Sequence, residues 1–356
     1  MSGYVLKILR ESIGMTQEQM AETLRVDQTT VQSWESGRRP LMAIATGNYL
    51  RLRSLMLRSG VDSLMLFHLD LAVEADRFVA YILNSDPGKV DDTDHPLSSW
   101  VMTGPFTELL AWPFTTIPPV GLQAATARIS RRGPVAGAPL LHGDEKAHFF
   151  RHLRQVAESA DPEGEGGMLL RRQAHYIASF DSGGEIAEWL ISTQRAEERR
   201  LDRSSMWTPS WAVARSGAHS LARLGDHDAL PRFVETRFAE EQCEVANLNY
   251  WAYWIGEIGE SQWSDTFMIT MDPDSWGGAR LARHLIDRLS AQNPYIDVIV
   301  HTLWALISKR PTALAPPAAD DLTAAVCRVL DEGTVSPGSK RKLDSVLYAV
   351  RMIRRQ

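Results

Sequence analysis

Cysteine is nearly missing from this 356-residue chain: Cys243 and Cys327 are the only two, too few for a disulfide framework and not spaced as metal ligands. They read as core residues in a reducing compartment. Long apolar runs are missing too. The most apolar stretch, Leu64–Leu83, carries Asp70, Glu74, Asp76 and Arg77, which argues against a membrane span. The first residues, MSGYVLKILRES, contain neither an uninterrupted apolar run nor a leader cleavage site. No stretch alternates apolar and polar residues as strands do, so the expected fold class is all-α. No nucleophile motif, phosphate loop or pair of catalytic carboxylates stands out. The Gly-Gly pairs at 166–167, 183–184 and 277–278 lack the strand-turn-helix setting of a nucleotide site. These absences lead us to expect a cytoplasmic protein that is not an enzyme and uses no cofactor or metal.

What is present is ordinary in bulk and uneven in placement. Apolar residues make up 44% and charged residues 23%, a composition that folds rather than stays disordered. The length exceeds one compact core. We expect a segment 1–58, a connector 59–140 broken by proline and glycine, and a larger helical body 141–356. The net charge is −6, but residues 1–58 hold eight cations against five anions, +3, which leaves −9 for the rest. A locally basic start on an acidic chain keeps a nucleic-acid partner open.

The first segment reads as three short helices. Val5, Leu6, Ile8 and Leu9 make the apolar face of one that ends near Ser12–Gly14. Thr16 and Gln19 form a capping box for a second, Gln17 to Leu24, with Met20, Ala21 and Leu24 inward. Arg25-Val26-Asp27 is the turn, and Asp27 is positioned to cap a third helix, Gln28 to Ser36, with Val31 and Trp34 inward. Gly37 supplies a left-handed stop, and Arg38-Arg39-Pro40 ends the helix. Helices joined this tightly cross steeply, and the small Ala21 suits the crossing. The outward face of the third helix offers Gln28, Thr29, Thr30, Gln32 and Ser33. Amides suit adenine edges, and threonine offers a hydroxyl and a methyl. Arg38 and Arg39 stand ready for phosphates.

The stretch MTQEQMAETLRVDQTTVQSWESGRRP resembles the XRE family, the lambda-repressor and Cro type of helix-turn-helix. The resemblance covers about a fifth of the chain. It implies that Gln17 contacts the DNA backbone and braces the reading helix, that Gln28, Thr29 and Ser33 meet bases, and that Thr30, Gln32 and Arg38 lie near phosphates. It also implies double-stranded DNA as partner and a homodimer on a near-palindromic site. The family usually has glycine in the turn where this chain has Arg25, so a non-glycine residue is expected at positive φ.

Further along, Leu41–Leu57 and Val61–Leu83 read as helices, the latter with Leu64, Phe67, Leu71, Phe78 and Ile82 at helical spacing. Residues 100–140, rich in proline and glycine, read as irregular chain or short helices. Asp144, Glu145, His148 and His152 include ligand spacing, but no Glu follows His148 as a zinc-protease motif requires, so surface histidines on a polar face are expected. Leu224-Gly225-Asp226 and Ile258-Gly259-Glu260 lie 34 residues apart, which resembles the helix pairs of HEAT-type and tetratricopeptide-type repeats. Asn247, Asn249, Tyr250, Trp251, Tyr253 and Trp254 admit two readings: a pocket for a small-molecule effector or protein partner, or core packing, which the helical spacing of the aromatics favours. The functional expectation is a DNA-binding transcriptional regulator whose C-terminal helices receive a signal. The alternative is an adaptor whose helical array binds a protein and is only tethered to DNA.

Overall fold

The computed structural model describes residues 1–89, 91–128, 138–181, 183–200, 206–238, 240–314, 316–333 and 335–353. Among them every regular element is helical, with no strand. The chain forms two compact units, residues 1–89 with 104–152, and 90–103 with 153–356.

The first unit opens with α1 (Ser2–Ser12), α2 (Gln17–Leu24), α3 (Gln28–Glu35), α4 (Thr46–Arg58) and α5 (Ser63–Asn84). On α1, Val5, Leu6, Ile8 and Leu9 are all fully buried, so the expected apolar face is the one that packs. It lies against α5 and α3. Ser2 fixes its start by donating its backbone N–H (2.9 Å) and its hydroxyl (2.5 Å) to Asp76 Oδ2 on α5. Gly3 permits a very close approach: a Cβ there would stand 2.1 Å from the Trp34 carbonyl oxygen on α3. Gly3→Ala is therefore expected to cost about 1–3 kcal/mol through forced backbone displacement; a urea melt of the variant checks this, and an unchanged midpoint would show that the contact yields freely.

Asp62 caps α5 by accepting from Leu64 N at 2.8 Å and Met65 N at 3.3 Å. The buried stripe of α5 runs Leu66, Leu69, Ala72, Ala75, Val79 and Ile82. Leu71 and Phe78 are buried as expected, but Leu64 (56% exposed) and Phe67 (44%) sit on the outer side of the first turns. Leu50 of α4 is exposed as well.

After α6 (Pro96–Ser99), which belongs to the second unit, the first resumes with α7 (Gly104–Thr115) and α8 (Val120–Arg128). The proline-rich region is thus largely helical among its described residues. Pro105 falls in the first turn of α7, where its missing N–H costs nothing, while Pro113 lies inside that helix. Trp112 of α7 meets Tyr4 edge-on at 5.3 Å, and Phe106 meets Phe78 at 6.4 Å. Gly133, Pro134 and Gly137 lie outside the described residues.

Helix α9 (Gly143–Ser159) supplies residues to both units. The second unit continues with α10 (Glu165–Ala178), α11 (Gly184–Arg200), α12 (Pro209–Arg223), α13 (Ala229–Arg237), α14 (Glu241–Trp254), α15 (Phe267–Thr270), α16 (Ala279–Asp287), α17 (Ile296–Lys309), α18 (Pro316–Glu332) and α19 (Pro337–Ile353). One apolar cluster runs from Leu169 on α10 to Val350 on α19. Segment 90–103 joins this unit because Gln173 holds it: the side chain accepts from Met102 N at 2.6 Å and donates to Leu97 O at 2.7 Å and Trp100 O at 2.9 Å. Arg172 is buried and forms a two-bond ion pair with Asp265 at 2.8 and 2.7 Å. The 34-residue correspondence does not reproduce a repeated helix pair. Gly225, at φ +98°, follows α12 and precedes the nine-residue α13. After α14 the positive φ falls at Gly256 instead of Gly259, and α15 has only four residues.

Candidate nucleic-acid interface

The residues expected to meet DNA sit at the start of α2, on α3 and just after it. Both halves of the capping box are made: Gln19 N donates to Thr16 Oγ1 at 3.1 Å and Thr16 N donates to Gln19 Oε1 at 2.8 Å. Arg25 closes α2 in the left-handed region, φ 57° and ψ 48°, with Val26 N donating back to Ala21 O at 3.0 Å. A left-handed conformation costs an L-residue about 1–2 kcal/mol that glycine avoids. Arg25→Gly is expected to stabilise the reader by about 1 kcal/mol; a fall in thermal midpoint would contradict this. Asp27 stands at the N-cap of α3 but its side chain makes no capping bond, contrary to expectation. Its carbonyl oxygen accepts from Thr30 N at 2.9 Å, and the exposed carboxylate points elsewhere.

Helix α3 buries Val31 and Trp34 and presents the other side outward. Gln28, Thr29, Arg38 and Arg39 are exposed, and Thr30, Gln32 and Ser33 are half-buried. Ser33 turns its hydroxyl onto its own helix, donating to Thr29 O at 2.7 Å. Arg38 Nε donates to Ser36 Oγ at 3.2 Å, which holds its guanidinium beside the end of α3. Gly37, at φ +75°, makes the stop that releases the two arginines.

Beneath this face lies a network that sequence reasoning missed. Arg10 of α1 is buried and donates through Nε to Glu35 Oε1 at 2.6 Å and through Nη2 to Glu35 Oε2 at 3.1 Å. Its Nη1 also donates to Met15 O at 2.7 Å. Burial works against the Arg10 charge, but the bonds and field of Glu35, with Glu11, carry its pKa above the ordinary arginine value. Gln17 is half-buried, and its Nε2 donates to the same Glu35 at 2.6 Å. One carboxylate at the end of α3 is thus tied to α1 and to the first residue of α2. The signal was in the sequence: Arg10 falls four residues after Leu6 on an otherwise apolar stripe, where a charge needs a buried partner. Gln17 and Gln32 also edge a cavity of about 660 Å³ in the first unit, lined in addition by Tyr4, Val79 and Leu141.

The other candidates lie elsewhere. His152 is buried, not on a polar surface, and burial together with His148 pushes its pKa down to about 4. No cluster of metal-ligating side chains occurs among the described residues. Asn247, Asn249, Tyr250, Trp251 and Tyr253 stand within the second unit, all buried, with Trp254 half-buried. Asn247 donates to Thr302 Oγ1 at 2.8 Å and accepts from Arg215 Nε at 3.0 Å. Asn249 donates to Met268 O at 3.0 Å and Met271 O at 2.8 Å and accepts from Trp276 Nε1 at 2.9 Å. Both amides are therefore engaged by the fold itself. Among the described residues no helix is long and apolar enough to cross a membrane.

Comparison with known proteins agrees with the first unit alone. The helix-turn-helix family matches residues 6–45, which span α1 to the segment just before α4. No curated protein and no solved structure matches the chain.

Proposed function

We propose that this chain is a sequence-specific DNA-binding regulator of transcription that lays α3 in the major groove. The observation that carries the reading is the exposed amide and hydroxyl of Gln28 and Thr29 on a helix whose base is fixed by the buried Arg10–Glu35–Gln17 network. No acidic residue occurs between Gln28 and Trp34, so the exposed side chains of α3 itself carry no carboxylate to repel phosphate. Gln28, Thr29 and Ser33 read bases, while Gln17, Thr30, Gln32, Arg38 and Arg39 settle the helix against the backbone.

Two or three base contacts at about 1–3 kcal/mol each are too few to select one site in a genome. A second copy doubles them, with its reading helix about 34 Å away on a near-palindromic site. Large apolar side chains exposed on α4 and the first turns of α5 (Leu50, Leu57, Leu64 and Phe67) support pairing of two copies. In this reading the second unit receives a signal that alters the placement of the two readers, a coupling of ~1–3 kcal/mol.

The role assignments separate experimentally. Gln28→Ala is expected to relax discrimination at one base pair by ~1–3 kcal/mol. Arg38→Ala should weaken all sequences alike and lower the slope of log affinity against log salt by about 1. Identical behaviour of the two variants across a panel of duplexes would overturn the division between base reading and phosphate contact.

A further inference from the structure

Helix α12 carries Arg215, His219 and Arg223 at four-residue spacing, which aligns them on one stripe. Arg215 is 4% exposed. Its guanidinium lies 4.4 Å over the Tyr250 ring and 5.6 Å from that of Trp251. Its Nε is used by Asn247, yet its Nη2 is buried without a hydrogen-bond partner. His219 stacks on Tyr295 at 5.4 Å and contacts Arg215 O through Nδ1 at 3.0 Å, and its Nε2 is likewise unpartnered. Trp251 lies 6.4 Å from His219 and 5.6 Å from His284, and the indole Nε1 and the His284 Nε2 also lack partners. Four nitrogens of one contiguous cluster are thus buried and unbonded. Buried polar groups are ordinarily satisfied by protein, water or a bound ion.

The charge balance points the same way. Arg172 has Asp265, but among the described residues no carboxylate pairs with Arg215 or Arg223. Arg223 instead donates to Ser179 Oγ at 2.5 Å and Tyr176 Oη at 2.9 Å. Burial, with Arg172 nearby and opposed by Tyr250, brings the Arg215 pKa down to about 10, so it stays cationic at neutral pH. His219, lowered to about 3 by burial and by Arg215, stays neutral; its one N–H is the Nδ1–H given to Arg215 O, so its Nε2 can only accept and it adds no charge. Arg215, His219 and Trp251 are the closed floor, and Tyr176, Arg223, Trp254, His284 and Tyr295 are only partly buried around them. A buried, uncompensated guanidinium is costly, and an anion with two coplanar or adjacent oxygens relieves that cost.

We propose that this side-chain cluster of the second unit binds a small organic anion, a carboxylate or phosphate monoester carried on a flat ring. The oxygens accept from Arg215 Nη2, the Trp251 indole N–H and the His284 Nε2–H, whose Nδ1 already accepts from Arg288, and the ring lies among Tyr250, Trp251 and Tyr295. The anion's action as the signal rests on the regulator reading; the site does not.

The test titrates the full chain, without DNA and at fixed sodium chloride, with benzoate, phenyl phosphate, inorganic phosphate and the neutral benzyl alcohol. Binding is read by calorimetry and by tryptophan fluorescence. Benzoate or phenyl phosphate is expected to saturate below about 1 mM, with benzyl alcohol and inorganic phosphate weaker by tenfold or more. Arg215→Met should abolish binding. Trp251→Phe and Arg223→Gln, which leave the floor charge in place, should each weaken it several-fold, so a failure of the first variant to fold does not end the test. Absence of binding by both aryl anions, equal binding of benzyl alcohol, equal binding of inorganic phosphate, or binding untouched by the variants that fold would overturn the site. A second arm adds the bound anion to the protein–DNA complex and expects a several-fold change in affinity. Binding with no such change would overturn the signalling role alone, and a chain that takes the anion but shows no sequence preference on DNA would overturn the regulator reading and leave the site standing.

Discussion

Glu35→Ala is expected to destabilise the reader by about 3–5 kcal/mol, the cost of leaving a buried guanidinium without its carboxylate. Arg10 would lose both bonds to Glu35, and the Gln17 amide would lose its acceptor in the same step. The effect is local, so hydrogen exchange across residues 17–36 reports it more cleanly than a global melt. Exchange there should accelerate by two orders of magnitude or more, following the factor of ten for each ~1.4 kcal/mol. Glu35→Gln, which keeps the shape and one acceptor, should fall between. The double change Arg10→Met with Glu35→Leu should recover most of the loss, because removing both charges removes the desolvation penalty as well. Unchanged exchange in Glu35→Ala would mean that α3 is held by Val31 and Trp34 alone, and the rigidity assigned to the reading face would then lack its cause.

Acid should unfold the second unit early. His175, His219 and His301 are buried, and burial pushes each pKa down to about 3; the charge of Arg171, Arg215 or Lys342 respectively adds to the shift. In the unfolded chain each returns to about 6.5. Below that value the unfolded state takes up protons that the native state refuses, so stability falls as pH falls through the window from about 6.5 to 3. Each histidine contributes ~1.4 kcal/mol per pH unit. Three together remove about 6 kcal/mol by pH 5, comparable with the whole stability of a domain. Above pH 7 these groups contribute no further slope. Urea midpoints by circular dichroism at pH 5, 6, 7 and 8 should drop steeply only on the acid side, and His301→Gln should flatten that drop. Equal midpoints at pH 5 and 7 would contradict the buried neutral state of these rings.

The reader was legible because its rules are local. A capping box and a glycine stop need only neighbours in sequence, so α2 and most of α3 could be placed from Thr16, Gln19 and Gly37. The left-handed Arg25 followed from the resemblance, because the family usually has glycine at that turn position. What escaped depends on distant partners. Glu35 reads as a surface residue until Arg10, 25 positions away, comes to meet it. His148 and His152 share a spacing, but only packing decides that His152 is buried. Leu50, Leu64 and Phe67 fit helical periodicity yet face outward, because the stripe that packs is chosen by the neighbouring helices. Segment 90–103 carries no sign that Gln173 will bind its backbone carbonyls. The uncompensated Arg215 depends on distant partners in the same way, since Asn247 and Tyr250 lie more than 30 positions away.

The central claim is that the exposed side of α3 reads bases. Selection of bound duplexes from a random library, run in parallel with the full-length protein and its Gln28→Ala variant, tests it most directly. The account predicts an enriched, two-fold symmetric sequence for the native chain and the loss of preference at one symmetry-related pair of positions in the variant. Enrichment of no sequence, or the same sequence enriched equally by both proteins, would contradict it.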